Sequence, residues 1–145
     1  MTIIVDGDAC PVKNEIIALA RTHACQVLLV ASLAHDMPEG PGIEVLRVDA
    51  EPEAADIAIM NRTREGDIVI TADYGLACMV LGRKARVIDH RGGRFTDQNI
   101  DGLMARRHAN RQARRAGRRT KGPRPFLSAD REAFTATLER LLIER

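Results

Sequence analysis

The 145-residue chain has no tryptophan, one tyrosine and three phenylalanines. Its core must therefore be built from aliphatic side chains, and a base-stacking platform of the kind that single-strand binders use has few rings to draw on. The three cysteines, Cys10, Cys25 and Cys78, are widely spaced and form no C-x-x-C pair. This excludes a disulfide framework and a cysteine-based structural zinc site, and it fits a reducing cytoplasm. No basic stretch precedes an apolar run at the N-terminus and an acid stands at Asp6, so no signal peptide is expected. The longest apolar run, residues 27–34 broken by Ser32, is too short to span a bilayer, and no membrane partner is expected.

Acid is missing from one segment altogether. Residues 104–127 hold nine Lys and Arg and no Asp or Glu, whereas residues 1–103 hold 10 basic against 16 acidic side chains. The formal net charge of +2 thus averages an acidic body and a basic arm.

What is present in the body is a regular alternation of strand-like and helix-like runs. Largely apolar runs at 3–5, 26–31, 43–48, 68–71 and 85–88 read as five strands, the first covered on both faces and the fourth buried. Between them, stripes at helical spacing predict helices over 11–23, 52–64 and 76–81. Residues 96–104 also look helical. Gly122-Pro123-Arg124-Pro125 breaks any helix running through the arm. Ser128 then reads as the N-cap of a last helix over 128–143, whose Phe134, Leu138, Leu141 and Leu142 would dock on the body. The pattern predicts an α/β fold: a three-layer domain over 1–145 with a central, mostly parallel sheet of about five strands and helices on both faces.

The first strand drives into Asp6-Gly7-Asp8-Ala9-Cys10-Pro11. In extended chain, Asp6 and Asp8 point to one side, and two charges ~4 Å apart repel by about 4 kcal/mol at a protein-like dielectric. Asp73 follows the fourth strand, and Asp56 lies among apolar neighbours in a helix. If strands one and four are neighbours where the strand order reverses, these carboxylates face one crevice. An all-oxygen cluster of that kind suits Mg²⁺ or Mn²⁺. The plainer alternative is that Asp8 and Asp73 cap the helices that follow them. Asp67 precedes its strand and reads as a turn residue. Asp89 and His90 end the fifth strand and Asp97 lies shortly beyond; they are secondary candidates for an outer shell and read first as surface or turn residues, and Cys10 reads as a small buried side chain.

In the arm, residues 105–125, Arg107, Arg111, Arg114, Arg115 and Arg118 recur at helical spacing, and Arg119, Lys121 and Arg124 extend the series past Gly117. Guanidinium forks match phosphate oxygens, so nucleic acid is the natural partner. A solvated, partly disordered charge run is the alternative.

Taken together, Val5-Asp6-Gly7-Asp8-Ala9-Cys10-Pro11-Val12-Lys13, Ala54-Ala55-Asp56, residues 66–77, Arg91-Gly92-Gly93-Arg94-Phe95 and residues 119–126 resemble the YaiI/YqxD family of small bacterial proteins. The resemblance implies a PIN-like fold, whose better-known members are metal-dependent ribonucleases, and metal-ligand roles for Asp6, Asp8, Asp56 and Asp73. It also implies that Ala at Gly7, seen in some relatives, leaves the carboxylates in place. Tyr74-Gly75, in place of an Ile-Pro, alters the crevice rim. The expected function is a cytoplasmic Mg²⁺- or Mn²⁺-dependent nuclease acting on RNA, with the four aspartates catalytic and the arm gripping phosphates. Two rivals stand beside it: a non-catalytic RNA- or ribosome-associated binding module, and an aspartyl-phosphate phosphatase using Asp6 and Asp8. The second rival lacks the Thr or Val that its pattern places where Cys10 stands.

Overall fold

The fold follows from the alternation of the buried strands. In the computed structural model, residues 1–32, 36–51, 53–118 and 124–144 are described. The elements are β1 (Thr2–Asp6), α1 (Lys13–Thr22), β2 (Gln26–Ser32), β3 (Ile43–Val48), α2 (Ala54–Arg62), β4 (Ile68–Ile70), α3 (Tyr74–Leu81), β5 (Arg86–Ile88), β6 (Arg94–Phe95), α4 (Ile100–Arg115) and α5 (Ser128–Ile143). The sheet runs β3-β2-β1-β4-β5-β6. Its first five strands pair in parallel, and β6 is antiparallel to β5. Strand order therefore reverses between β1 and β4, which pair as Ile3 with Ile68 and Val5 with Ile70.

Successive side chains of a strand point to opposite faces, and each face carries a core. Ile3, Val5, Val27, Leu29, Ile68, Ile70 and Ile88 pack with α1 and with Phe134, Leu138, Leu141 and Leu142 of α5. Ile4, Leu28, Val30, Val69 and Val87 pack on the other face with Ile59 of α2, Leu76, Ala77 and Val80 of α3, and Ile100 of α4. The result is the three-layer α/β architecture that the sequence predicts. Among the described residues no helix is long and apolar enough to cross a membrane.

Three details differ from the sequence expectation. The sheet has a sixth strand, the two residues of β6, too short to carry a periodicity. The helical signal over 96–104 starts later, at Ile100. Thr96 and Asn99 instead form a reciprocal turn, each backbone N–H donating to the other's side chain at 2.9 and 3.2 Å. From Ile100 the helix then runs unbroken to Arg115 and stops before Gly117, whose φ is +76°. Finally, Leu127 rather than Ser128 precedes the first turn of α5. There the Asp130 carboxylate accepts a 2.9 Å hydrogen bond from Leu127 N–H, so an acid inside the helix satisfies the exposed donor.

Candidate nucleic-acid and cation site

Parallel strands end together, so their terminal side chains meet at one edge of the sheet. Asp6 is the last residue of β1 and is paired with Val30 on one side. On the other side, Thr71 follows β4 and its hydroxyl donates to Asp6 Oδ2 at 3.2 Å. The same Thr71 Oγ1 accepts from Asp73 N–H at 3.1 Å. One hydroxyl thus ties the two strand ends together.

The carboxylates influence one another. Burial raises the pKa of Asp6 above the usual carboxylate range, the Thr71 hydrogen bond works against it, and the charges of Asp73 and Asp8 add to the rise. Burial also raises Asp56, again helped by Asp73 and Asp6, and by Glu53. Asp56 projects from the first turn of α2.

Two of the four are also engaged elsewhere. Asp8 Oδ1 accepts from Ser32 N–H at 2.9 Å and from Ser32 Oγ at 3.4 Å, holding the β1–α1 loop to the end of β2. Asp8 does not cap α1, whose preceding residue is Val12. Asp73 does cap α3: its Oδ1 accepts from Leu76 N–H at 3.1 Å. Arg107 Nη1 stands 3.9 Å from the same oxygen. Lys13 Nζ donates to the carbonyls of Gly7 and Cys10 at 3.1 and 3.0 Å, which fixes the loop carrying Asp8.

A cation fits this edge by donor chemistry: the groups are hard oxygens whose mutual repulsion it would offset. The arrangement is not preformed, because among the described residues no three His, Cys, Asp or Glu side chains are grouped to hold one ion. Gly7 corrects one expectation. A Cβ there would lie 2.9 Å from the Val30 carbonyl oxygen, so alanine would push the β1 end away from β2 rather than leave the carboxylates in place.

Beside the acids opens a cleft of about 770 Å³. Its walls are Ala9 and Pro11 after β1, Ala72 and Tyr74 around Asp73, and the turn after β5. Arg106, Arg107, Arg111 and Arg114 of α4 form the facing wall. Arg107 also lies over the Tyr74 ring, 5.9 Å from its centre. The expected arginine stripe therefore divides. Arg107, Arg111 and Arg114 face the cleft, while Arg115 and Arg118 are exposed and outside its lining. Arg124 is bound to Asp130, with Nη1 2.7 Å from Oδ2. Arg119 and Lys121 lie outside the described residues.

The profile of the uncharacterised bacterial YaiI/YqxD family matches residues 4–144. The chain belongs to this family. It is 46% identical over 143 residues to a UPF0178 protein of Halalkalibacterium halodurans, covering 99% of this chain and 91% of that protein. A UPF0178 protein of Alkaliphilus metalliredigens is 46% identical over 142 residues, with 98% and 92% covered. One from Bacillus cereus is 40% identical over 144 residues, with 98% and 99% covered. No solved structure matches the chain at a significant level.

Sequence reasoning missed several residues of this YaiI/YqxD protein's site. Thr71 had a signal, a hydroxyl ending a buried strand two residues before an acid. Arg106 had one too: with Asn110 it sits four residues apart on α4, beside the stripe. Arg91 and Phe126 had none, because they reach the cleft only through the turn after β5 and the approach to α5; His90, at the end of the fifth strand, was already a candidate for an outer shell.

Proposed function

We propose that this YaiI/YqxD protein is a Mg²⁺- or Mn²⁺-dependent nuclease that hydrolyses phosphodiester bonds of RNA. One observation carries the reading. Carboxylates from the ends of adjacent strands β1 and β4, joined by Asp56 of α2, feel one another's charge beside a cleft walled by arginines. Acid alone would repel a polyanion, and base alone would bind it without chemistry. Side by side, the two supply a phosphate grip and a place for a cation.

Asp6, Asp56 and Asp73 are the groups that would hold the ion, with Asp8 joining if it releases Ser32. A divalent ion held there would neutralise phosphoryl charge and lower the pKa of a water molecule. Arg107, Arg111 and Arg114 orient the backbone through charge-assisted hydrogen bonds. Arg107, 3.9 Å from Asp73, links grip to acid cluster. Thr71 holds Asp6 in place against the repulsion of its neighbours.

The test is cleavage of a labelled single-stranded oligoribonucleotide with Mg²⁺, with Mn²⁺ and with EDTA. Cleavage should need the metal, and Asp6→Asn or Asp73→Asn should abolish it. Unchanged activity in either variant overturns the assignment. A second reading, a non-catalytic RNA-binding module, is favoured by the use of Asp73 as a helix cap and of Asp8 as a loop anchor. It predicts RNA binding that persists in EDTA with no cleavage under any condition.

A further inference from the structure

One side chain touches both halves of the site, and something has to hold it between them. Arg107 Nη1 stands 3.9 Å from Asp73 Oδ1, well beyond the length of a charge-assisted hydrogen bond, about 2.7–2.9 Å. That oxygen accepts instead from Leu76 N–H at 3.1 Å. The Arg107 side chain is 48% exposed and lines the cleft, so its N–H groups are open to a ligand there. A free arginine beside a carboxylate would close the gap or swing into solvent.

What holds it is an aromatic ring. The guanidinium carbon lies over Tyr74, 5.9 Å from the ring centre, within the ~6 Å reach of a cation–π contact. Tyr74 is itself fixed. It is the first residue of α3, which Asp73 caps, and its ring meets the buried Phe95 of β6 at 5.4 Å and 68°, edge to face. Arg91, over the Phe126 ring, differs because it is also hydrogen-bonded to Asp130 and to the Pro125 carbonyl. Among the described residues Arg107 has the ring and the more distant Asp73 alone, so the ring is the contact that aims it. An arginine that meets a phosphate unheld gives up rotamer freedom on binding. One already stacked has given up much of it beforehand.

We propose that Tyr74 is a positioning residue for phosphate binding: its ring holds the Arg107 guanidinium between Asp73 and the cleft, ready for a phosphate oxygen of single-stranded RNA. This rests on the nucleic-acid reading of the cleft but not on cleavage. Affinity for a labelled single-stranded oligoribonucleotide, measured in EDTA, tests it with hydrolysis removed from the readout. Tyr74→Leu should weaken binding about two- to fivefold, the size of a lost cation–π contact. Tyr74→Phe, which keeps the ring, should rescue it. In Arg107→Gln, which already lacks the guanidinium, adding Tyr74→Leu should cost nothing further, whereas in Arg111→Gln it should cost its full factor. If Tyr74→Leu fails to fold, the Arg107 Nε–H resonance of the wild type replaces it. The ring current should hold that proton upfield of the other arginines, and Tyr74→Phe should leave it there. The proposal is overturned by wild-type affinity in a folded Tyr74→Leu, by an equal loss in Tyr74→Phe, or by a loss that adds to that of Arg107→Gln. An Arg107 resonance without that displacement, or no affinity in the wild type, overturns it too. Binding with the expected coupling but no cleavage in Mg²⁺ overturns the nuclease reading alone.

Discussion

Gly7 sits between the two carboxylates of the opening motif where an added Cβ meets backbone. Its N–H donates to the Val30 carbonyl at 2.8 Å, and an added Cβ would stand 2.9 Å from that same oxygen. Backbone cannot swing aside as a side chain can, so Gly7→Ala should cost about 1–3 kcal/mol by overpacking. A lowered thermal midpoint, by about 2–4 °C for each kcal/mol in a chain of this size, would show it. A midpoint equal to wild type would mean that the β1–β2 junction yields. Asp6 gives the opposite sign. Its carboxyl is raised by burial and by Asp73 and Asp8, so the fold favours its protonated form. The stability tied to that form is present below the unfolded carboxylate range near pH 4 and is lost as pH rises through the folded value. Asp6→Asn keeps the acceptor for Thr71 and escapes this loss. In EDTA at pH 7 it should melt above wild type while losing the proposed activity, a trade expected of a strained functional site. A lower midpoint would show that the ionised carboxylate stabilises the strand end.

The strands were legible because residues 3–5, 27–31 and 68–70 are continuous apolar runs. The adjacency of β1 and β4 was legible only as a condition, since nothing local in either strand says which neighbour it will choose. The arginine stripe of α4 could likewise be counted along the chain, but not aimed. Its aim is set where the buried Ile100 and the partly buried Leu103 dock against the α3 face of the sheet. The N-terminus of α5 shows the same limit. Asp130 was expected near the first turn, yet its role comes from Arg91 and Arg124, which reach it at 3.0 and 2.7 Å. Hydrogen bonds from Arg124, then from Leu127 N–H, hold its pKa at about 2. A depressed carboxylate stabilises above the unfolded value near 4 and loses that contribution as pH falls through about 2. Asp130→Asn should therefore unfold at lower urea than wild type at pH 7, and the gap should close as the pH is taken from about 4 towards 2. A gap that stays constant across that range would remove ionic anchoring as the cause.

The division of charge along the chain becomes a division in space. The acidic end of the parallel sheet lies beside the cleft that the arginines of α4 line, and the two meet where Arg107 stands 3.9 Å from Asp73. Each sign offsets the repulsion within the other, which an average charge of +2 conceals. A polyanion drawn to such a cleft is steered by the arginines and kept off the acids unless a cation is present. Affinity for single-stranded RNA should accordingly fall steeply with salt and rise when Mg²⁺ is added. The location of the effect is the sharper test. Arg107, Arg111 and Arg114 lie along about two turns of α4, a rise of about 10 Å that matches about three stacked nucleotides. Replacing these three by Gln should reduce the salt slope of binding by about 2, since each phosphate contact on a single strand contributes about 0.7. Replacing Arg115 and Arg118, which lie outside the cleft lining, should reduce it by less. Equal losses from the two sets would mean that RNA responds to net charge alone. The cleft would then lose its claim as the place where backbone and carboxylates meet.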